Sequence, residues 1–167
     1  LLEADELSYN EYIRLQHVFR AEATGNASAL IRHIRMIKTP WEIEQMRISA
    51  RKHEAVYREI PACYRPGMRD IELQIEIEKR MRVHGSLGYF RAFGSNMDIF
   101  MGSLLAGENA GEPSPFDFAL GGTGMHASGP LGANGTLLRE GTTVMADMSG
   151  NYTAYQTDMT RVFSIGK

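Results

Sequence analysis

The sequence predicts an α+β fold, in which two long helices precede a series of short strands. Amphipathic helical patterns between residues 39 and 84 and short β-branched and aromatic runs after Gly88 carry that prediction. The first helix is expected to begin after Thr39, because Thr is a good N-cap, Pro40 suits the first helical position and Glu42 completes a capping box. Apolar residues then recur three and four positions apart on one face. This face carries Ile43, Met46, Ala50, His53, Tyr57 and Ile60.

A second amphipathic helix is predicted over about residues 69–84. Its apolar side carries Leu73, Ile77 and Met81. Gly85 is expected to end it, since glycine commonly follows the last helical residue. Short apolar runs at 99–101 and 103–105 then predict strands, and residues 107–135, rich in Gly, Pro, Asn and Ser, predict a loop.

Residues 1–36 have a separate pattern. A capping box at Ser8 predicts a short helix, and a break at Gly25-Asn26 separates it from a second helical segment. Because a strong cap follows at Thr39, we expect a domain boundary here. Residues 1–36 would belong to one domain and residues 37–167 to the next.

Composition argues against several classes of function. The 167 residues are 43% hydrophobic and 23% charged, which is typical of a soluble globular domain. Eighteen basic and twenty acidic residues give a net charge of −2, so nucleic acid is not an expected partner. No apolar run approaches about 20 residues, so no membrane-spanning helix is expected. The single cysteine, Cys63, excludes an internal disulfide and is interpreted as a buried thiol in a reducing compartment.

Two familiar motifs do not carry the function that they usually indicate. His53-Glu54 begins the H-E-x-x-H zinc pattern, but Tyr57 stands where the second histidine is required. We therefore interpret His53 as a helix residue with satisfied hydrogen bonds. Residues 122–127 match G-x-G-x-x-A, but the Ser128-Gly129-Pro130 that follows cannot form the helix whose N-terminus would hold a pyrophosphate.

An acidic pair, Asp147 and Asp158, lies in a stretch that predicts a β-hairpin. If the chain turns near Tyr152, the two residues lie opposite or nearly opposite each other, about 4.5–5.5 Å apart. Carboxylates this close repel unless a cation lies between them, and Mn²⁺, Mg²⁺ and Zn²⁺ all accept carboxylate oxygens. The spacing alone leaves a structural alternative open, in which one Asp caps a turn and the other pairs with Arg161.

The acidic pair also belongs to a longer pattern. Its residues are Asp147, Tyr155, Asp158, Thr160, Arg161, Phe163 and Gly166, and the two Asp are eleven positions apart. The pattern resembles the first metal-ligand hairpin of the pita-bread metallopeptidases, which include prolidase, aminopeptidase P and methionine aminopeptidase. Residues 37–47 resemble the entry to the catalytic domain of that family, residues 65–68 its helix connection and residues 107–110 the loop ahead of the hairpin. Residues 1–36 resemble the tail of the N-terminal domain that prolidases and aminopeptidase P carry. This tail and the entry at residues 37–47 favour the prolidase or aminopeptidase P type over methionine aminopeptidase.

The resemblance implies a pita-bread fold, with residues 37–167 as the first part of the catalytic domain and residues 1–36 as the tail of an N-terminal α/β domain. It implies two divalent metal ions (Mn, Co or Zn), held by Asp147 and Asp158 together with one His and two Glu from a second half that this sequence lacks. The implied activity is a metal-dependent exopeptidase that removes an N-terminal residue, one preceding proline, from a peptide substrate. A cytoplasmic location and a homodimer are further expectations.

We expect the sequence to be a piece of a longer protein, because Leu1 is not an initiator Met and residues 162–164 still have a strand pattern close to the end. The 167 residues alone are expected to be inactive and to hold no dinuclear centre, since two carboxylates are fewer than the four to six donors of a stable divalent site. Without the missing donors, one Asp of the pair should titrate at a raised pKa.

The chain departs from the family in the loop before the hairpin. The family usually places a histidine there, but counting back from Asp147 gives Pro130, and aligning on residues 107–110 gives Ser114. His126 fits neither register and is interpreted as a loop residue. This departure motivates a second hypothesis, a non-catalytic pita-bread module that binds peptides or partners. A metal-free relative of the creatinase kind is a third, against which the two intact Asp argue.

Overall fold

The protein, described by a computed structural model over residues 1–20, 22–93, 97–113 and 121–166, has an α+β fold. In chain order the helices and strands are α1 (Tyr9–Phe19), α2 (Ser28–Met36), α3 (Pro40–Cys63), α4 (Asp70–Val83), β1 (Phe90–Phe93), β2 (Met97–Ile99), β3 (Gly102–Ala106), β4 (Thr143–Asn151) and β5 (Gln156–Ser164). The two long helices precede the strands, which confirms the predicted fold class. In the described ranges we find no helix with the length and apolar character needed to cross a bilayer.

Helix α3 begins where the capping signal predicted. The Glu42 N–H donates to Thr39 Oγ1 (3.3 Å) and the Thr39 N–H donates to Glu42 Oε2 (2.7 Å), so both halves of the capping box are formed. The buried face of the helix carries Ser49, His53, Val56, Tyr57, Ile60 and Cys63. Ile43 and Met46, predicted for this face, are 38% and 37% exposed, because the core cluster covers α3 only from Val56 onward.

Helix α4 packs beside α3 and has the predicted buried side, formed by Leu73, Ile77 and Met81. Gly85 follows it with a φ of +95°, a left-handed conformation that favours glycine and ends the helix. Cys63, at the end of α3, is buried as predicted, and burial raises the pKa of its thiol.

Strands β3, β4 and β5 form an antiparallel sheet in that spatial order. Alternate residues of β4 (Val144, Ala146 and Met148) are buried in the core that α3 and α4 form with the sheet. We call this the inner face. The opposite, outer face carries Asp147, which is partly exposed, as the two-residue period of a strand requires.

The N-terminal segment forms local contacts of its own. The Leu2 N–H donates to the Gly25 carbonyl (2.9 Å), and the Ala27 N–H donates to the Leu2 carbonyl (2.7 Å). The hydrophobic core cluster of the described residues extends from Val56 to Ile165 and contains no residue of the segment 1–36. This arrangement agrees with a boundary near residue 37, which stays a prediction.

The stretch predicted as loop, residues 107–135, contains a short 3-10 helix at Gly107–Gly111 and, in its described part, no α-helix or strand. An isolated bridge between His126 and Gly129 closes a tight turn that begins at the end of the G-x-G-x-x-A stretch. A helix that could hold a pyrophosphate is therefore missing from the described residues at this point, and the dinucleotide interpretation is excluded.

Asp70, buried at the start of α4, fastens this loop to the helices. Its carboxylate accepts the N–H groups of Asn134 (3.0 Å) and Gly135 (2.8 Å). The Ile71 N–H also donates to this carboxylate (2.7 Å). We expect Asp70→Ala to lower the free energy of unfolding by about 3 kcal/mol, because three backbone donors lose their carboxylate acceptor. Urea unfolding of the full-length protein measures this change. Asp70→Asn keeps an oxygen acceptor and should lose less, and an unchanged midpoint in the Ala variant would show that the contact is unimportant.

Candidate metal centre

The acidic pair lies on adjacent antiparallel strands, on the same outer face of the sheet. In the register of β4 and β5, Asp147 is opposite Thr160 and Asp158 is opposite Ser149. The two carboxylates are therefore diagonal neighbours rather than a directly opposed pair. Diagonal neighbours lie about 7–8 Å apart, still within reach of a shared pair of cations.

The predicted position of the turn in this hairpin is wrong by about one residue. Asn151 pairs with Gln156, so residues 152–155 form the turn, and its centre lies between Thr153 and Ala154 rather than at Tyr152. The register of a hairpin is set by its turn, so the later turn accounts for the offset between the two Asp.

Tyr155, a residue of the family pattern, ties this turn to the start of α3. Its hydroxyl donates to Glu42 Oε1 (2.9 Å), and its ring meets that of Trp41 edge-on at 6.1 Å between centroids. Glu42 also closes the capping box of α3. One carboxylate therefore joins the helix start to the hairpin.

Polar neighbours flank Asp147 on both sides. The hydroxyl of Thr160 donates a hydrogen bond to Asp147 Oδ1, and Ser103 of β3 is the paired residue on the other side. The Thr160 contact restricts the orientation of the Asp147 carboxylate. It leaves the second carboxylate oxygen available to another partner.

Asp158 is an exposed residue, but the sheet partly removes its carboxylate from water. This burial raises the pKa of the Asp158 carboxyl, and the negative charge of Asp147 raises it further. The expectation that one Asp of the pair titrates at a raised pKa is confirmed. A divalent cation beside the pair would oppose both effects, because it favours the ionised form.

The structural alternative for the pair is not found. Arg161, its suggested ion partner, donates to the Thr160 carbonyl (2.7 Å) and is opposite Ala146, a residue of the inner face. In the described ranges, Arg161 forms no ion pair with Asp147 or Asp158. Arg161 therefore does not compensate the charge of the pair.

The carboxylates of Asp147 and Asp158 are suitable ligands for a divalent cation, but they are too few to form a complete site. Carboxylate oxygens are accepted by Mn²⁺, Mg²⁺ and Zn²⁺. Within the part of the chain that the structure describes, however, no group of three or more His, Cys, Asp or Glu side chains could hold a metal ion. Asp147 and Asp158 thus form an incomplete site, and their assignment as metal ligands stays a prediction.

The loop that precedes β4 lies beside the outer face. Asn109 is buried and holds this loop, because its Nδ2 donates to the Gly132 carbonyl (2.9 Å) and its Oδ1 accepts the Thr123 N–H (2.9 Å). Gly132 in turn lies against Ser103, the neighbour of Asp147 on β3. The loop therefore borders the outer face of the sheet beside Asp147.

His126 lies in the same loop and uses its ring locally. Its Nδ1 is 2.8 Å from Ser128 Oγ and accepts the Ser128 N–H (3.1 Å). Pro130 is a partly buried residue of this loop, and Ser114 lies outside the described residues. These contacts agree with the interpretation of His126 as a loop residue.

The sequence did not indicate the contacts of two buried side chains of α3. The Tyr57 hydroxyl meets backbone groups of both β4 and β5. The expectation that both ring nitrogens of His53 have hydrogen-bond partners is wrong. Nδ1 lies 2.9 Å from Thr157 Oγ1, but Nε2 is without a partner among the described residues. Contacts between positions about 90 or more residues apart leave no local signal in a single sequence.

The fold and the acidic pair together define a class, a pita-bread domain with a candidate metal-binding hairpin. A family model for metallopeptidase family M24 matches residues 44–167, and the chain belongs to this family. Members of the family are enzymes with dinuclear metal centres.

Comparisons with individual proteins agree with this assignment. "Probable dipeptidase PepE" of Mycobacterium tuberculosis is 25% identical over 143 residues, which are 84% of this chain and 31% of that protein. The X-Pro aminopeptidase from Thermotoga maritima superposes with a TM-score of 0.75 at 23% identity, over 99% of this chain and 40% of that one. An Xaa-Pro dipeptidase from Bacillus anthracis gives 0.71 at 23% identity, over 98% and 39%. The two structures show a shared fold, and the chain spans between 31% and 40% of the length of these relatives.

Proposed function

We propose that the natural protein is a metal-dependent exopeptidase that removes an N-terminal residue, specifically one that precedes proline. The observation that carries the proposal is the acidic pair on one face of the β4–β5 hairpin in a chain of metallopeptidase family M24. Similarity to an X-Pro aminopeptidase and an Xaa-Pro dipeptidase supports the proline preference. A cytoplasmic location, a homodimer and the use of Mn²⁺, Co²⁺ or Zn²⁺ belong to the same proposal.

In this function, Asp147 and Asp158 would supply anionic oxygen ligands from a rigid sheet. Bound divalent ions lower the pKa of a water molecule and polarise a scissile carbonyl. Thr160 would keep one oxygen of Asp147 oriented through its hydroxyl. Asp158 must be ionised to act as a ligand, and its raised pKa makes metal affinity fall as the solution becomes acidic.

The expected result for the full-length protein is hydrolysis of X-Pro dipeptides or of longer X-Pro peptides, lost on chelation and restored by added Mn²⁺, Co²⁺ or Zn²⁺. Release of the N-terminal residue, followed by chromatography, measures it. Matched X-Ala peptides test the proline preference, because equal rates on both series would remove it. Activity that survives complete chelation would contradict the metal dependence.

The non-catalytic binding module remains the second candidate, favoured by one observation. Pro130 lies in the loop at one of the two positions where the family usually places a histidine. A full-length protein that binds two metal ions and a peptide, yet releases no residue from any peptide, would establish this alternative.

A further inference from the structure

Tyr57 of α3 lies beneath the acidic pair. Its side chain is 6% exposed and reaches the inner face of the sheet. The hydroxyl accepts the Met148 N–H (3.1 Å) and lies 3.1 Å from the Ala146 carbonyl oxygen. It also lies within hydrogen-bond distance of the Met159 carbonyl oxygen. One phenol oxygen therefore contacts backbone groups on both strands of the hairpin.

These backbone contacts directly adjoin the two carboxylate residues. Ala146 and Met148 precede and follow Asp147 on β4, and Met159 follows Asp158 on β5. Because each peptide plane spans two consecutive Cα atoms, the Ala146 carbonyl and the Met148 N–H belong to the two planes that meet at the Cα of Asp147. The Met159 carbonyl lies in the plane between Met159 and Thr160, so its contact holds β5 one residue beyond Asp158 against the same hydroxyl. The three contacts together set the position of Asp147 relative to the segment of β5 that carries Asp158. The hydroxyl does so from the inner face, whereas the carboxylates leave the sheet on the outer face.

The Tyr57 hydroxyl stays protonated at neutral pH, which suits it to these contacts. Burial raises the pKa of its hydroxyl, and the negative charges of Asp147 and Asp158 raise it further. The group therefore remains a neutral hydroxyl, able to donate to one strand while it accepts from the other.

We propose that Tyr57 is a positioning residue for the candidate metal centre, whose hydroxyl fixes the relative placement of Asp147 and Asp158. The inference rests on the proposed function, since it assumes that the acidic pair binds metal. It adds a role for a residue that contacts neither metal nor substrate and acts through the backbone of two strands. Partners beyond the ligands themselves commonly change metal affinity by about 10–100-fold.

The test is Tyr57→Phe in the full-length protein, which removes the hydroxyl and keeps the ring. Titration of the metal-free protein with Mn²⁺, followed by calorimetry without peptide, should show roughly 10–100-fold weaker binding of the metal. The visible absorption spectrum of the Co²⁺-loaded protein should also change, because it reports ligand geometry. Peptide hydrolysis should recover in part at high Mn²⁺ concentration.

Tyr152→Phe is the matched control. Tyr152 is also a buried tyrosine in contact with α3, with its ring 6.0 Å from that of His53, but its hydroxyl has no partner among the described residues. Its loss should leave Mn²⁺ affinity and the Co²⁺ spectrum unchanged. Thermal unfolding of both metal-free variants separates folding from binding.

The outcomes distinguish this inference from the proposed function. A Tyr57→Phe protein with a lower melting temperature but wild-type Mn²⁺ affinity and Co²⁺ spectrum would reduce Tyr57 to a packing residue and overturn the inference alone. If wild-type protein binds Mn²⁺ but cleaves no peptide, the proposed activity fails, while weaker binding in the variant still supports the positioning role. If wild-type protein binds no metal, both fail.

Discussion

Replacing Asp158 with alanine is expected to lower kcat/KM for peptide hydrolysis by the full-length protein at least ~10³-fold. The substitution removes one of the two anionic donors that Asp147 and Asp158 would offer to the proposed metal centre. Asp158→Asn should lose nearly as much, because it keeps the size of the side chain but not its charge. The measurement is kcat/KM on an X-Pro peptide at saturating metal, with bound metal counted by elemental analysis.

The same substitutions should act in the opposite direction on the stability of the metal-free protein. The pKa of Asp158 is raised in the folded protein by burial and by Asp147, so its ionised form opposes folding near neutral pH. In the presence of a chelator, Asp158→Asn should therefore melt at a higher temperature than the wild type. This combination separates a functional residue from a structural one, since loss of a structural residue lowers both activity and stability.

Asp5→Ala serves as the control for Asp158. Asp5 is an acidic residue of the N-terminal segment that pairs with Arg32 at the surface. Its removal should leave hydrolysis and metal content unchanged. Retention of full activity by Asp158→Asn, together with a normal metal content, would show that the acidic pair does not hold the catalytic metal.

Much of the fold was predictable, because its main signals are local. The α3 start rests on residues within one helical turn of Thr39, and α4 ends where Gly85 adopts a left-handed conformation. The buried face of α3 was predictable from periodicity in its second half. The exposure of its first half was not predictable from the sequence. A helical pattern shows which side of a helix is apolar, but it does not show how far the neighbouring core extends along that side.

The acidic pair was predictable in its face but not in its register. The sequence indicated a hairpin with both Asp on one face of the sheet. The observed register differs by two residues, and because side chains alternate between faces every two residues, both Asp stay on the same face. The two-residue offset depends on the turn at residues 152–155, where Ala154 adopts a φ of +68° that its residue type does not announce. The Tyr57 contact was beyond sequence reasoning for a different reason, since it depends on how a helix packs across two strands.

His53 carries the second large expected effect, a loss of stability in acid. The side chain is fully buried between the rings of Tyr57 and Tyr152, at 5.1 and 6.0 Å between centroids. Its Nδ1 meets the Thr157 hydroxyl at 2.9 Å, and burial lowers the pKa of its imidazole from 6.5 to about 4. A proton on this ring would have to be accommodated among groups that offer it no negative charge.

The direction in which stability changes with pH depends on where the folded and unfolded chains bind a proton at His53. Between about pH 6.5 and about pH 4 the unfolded chain binds a proton at His53 that the folded protein does not bind, so unfolding becomes easier as the pH falls. Stability from this group is fully present above pH 6.5, and the loss by pH 4 is about 3 kcal/mol. The raised pKa of Asp158 contributes in the opposite direction, so the effect of His53 must be isolated by substitution.

His53→Gln isolates it, because the amide can still meet the Thr157 hydroxyl but does not titrate. Urea unfolding of the full-length wild type and variant at intervals from pH 7 to pH 4, in the presence of a chelator, gives the two stability curves. The variant is expected to be less stable at pH 7, because glutamine fills the site less well than imidazole, and the two curves should converge as the pH falls. His33→Gln, at an exposed position of α2, should keep the pH slope of the wild type. Parallel curves for His53→Gln and the wild type would show that His53 gains its proton equally in the folded and unfolded states.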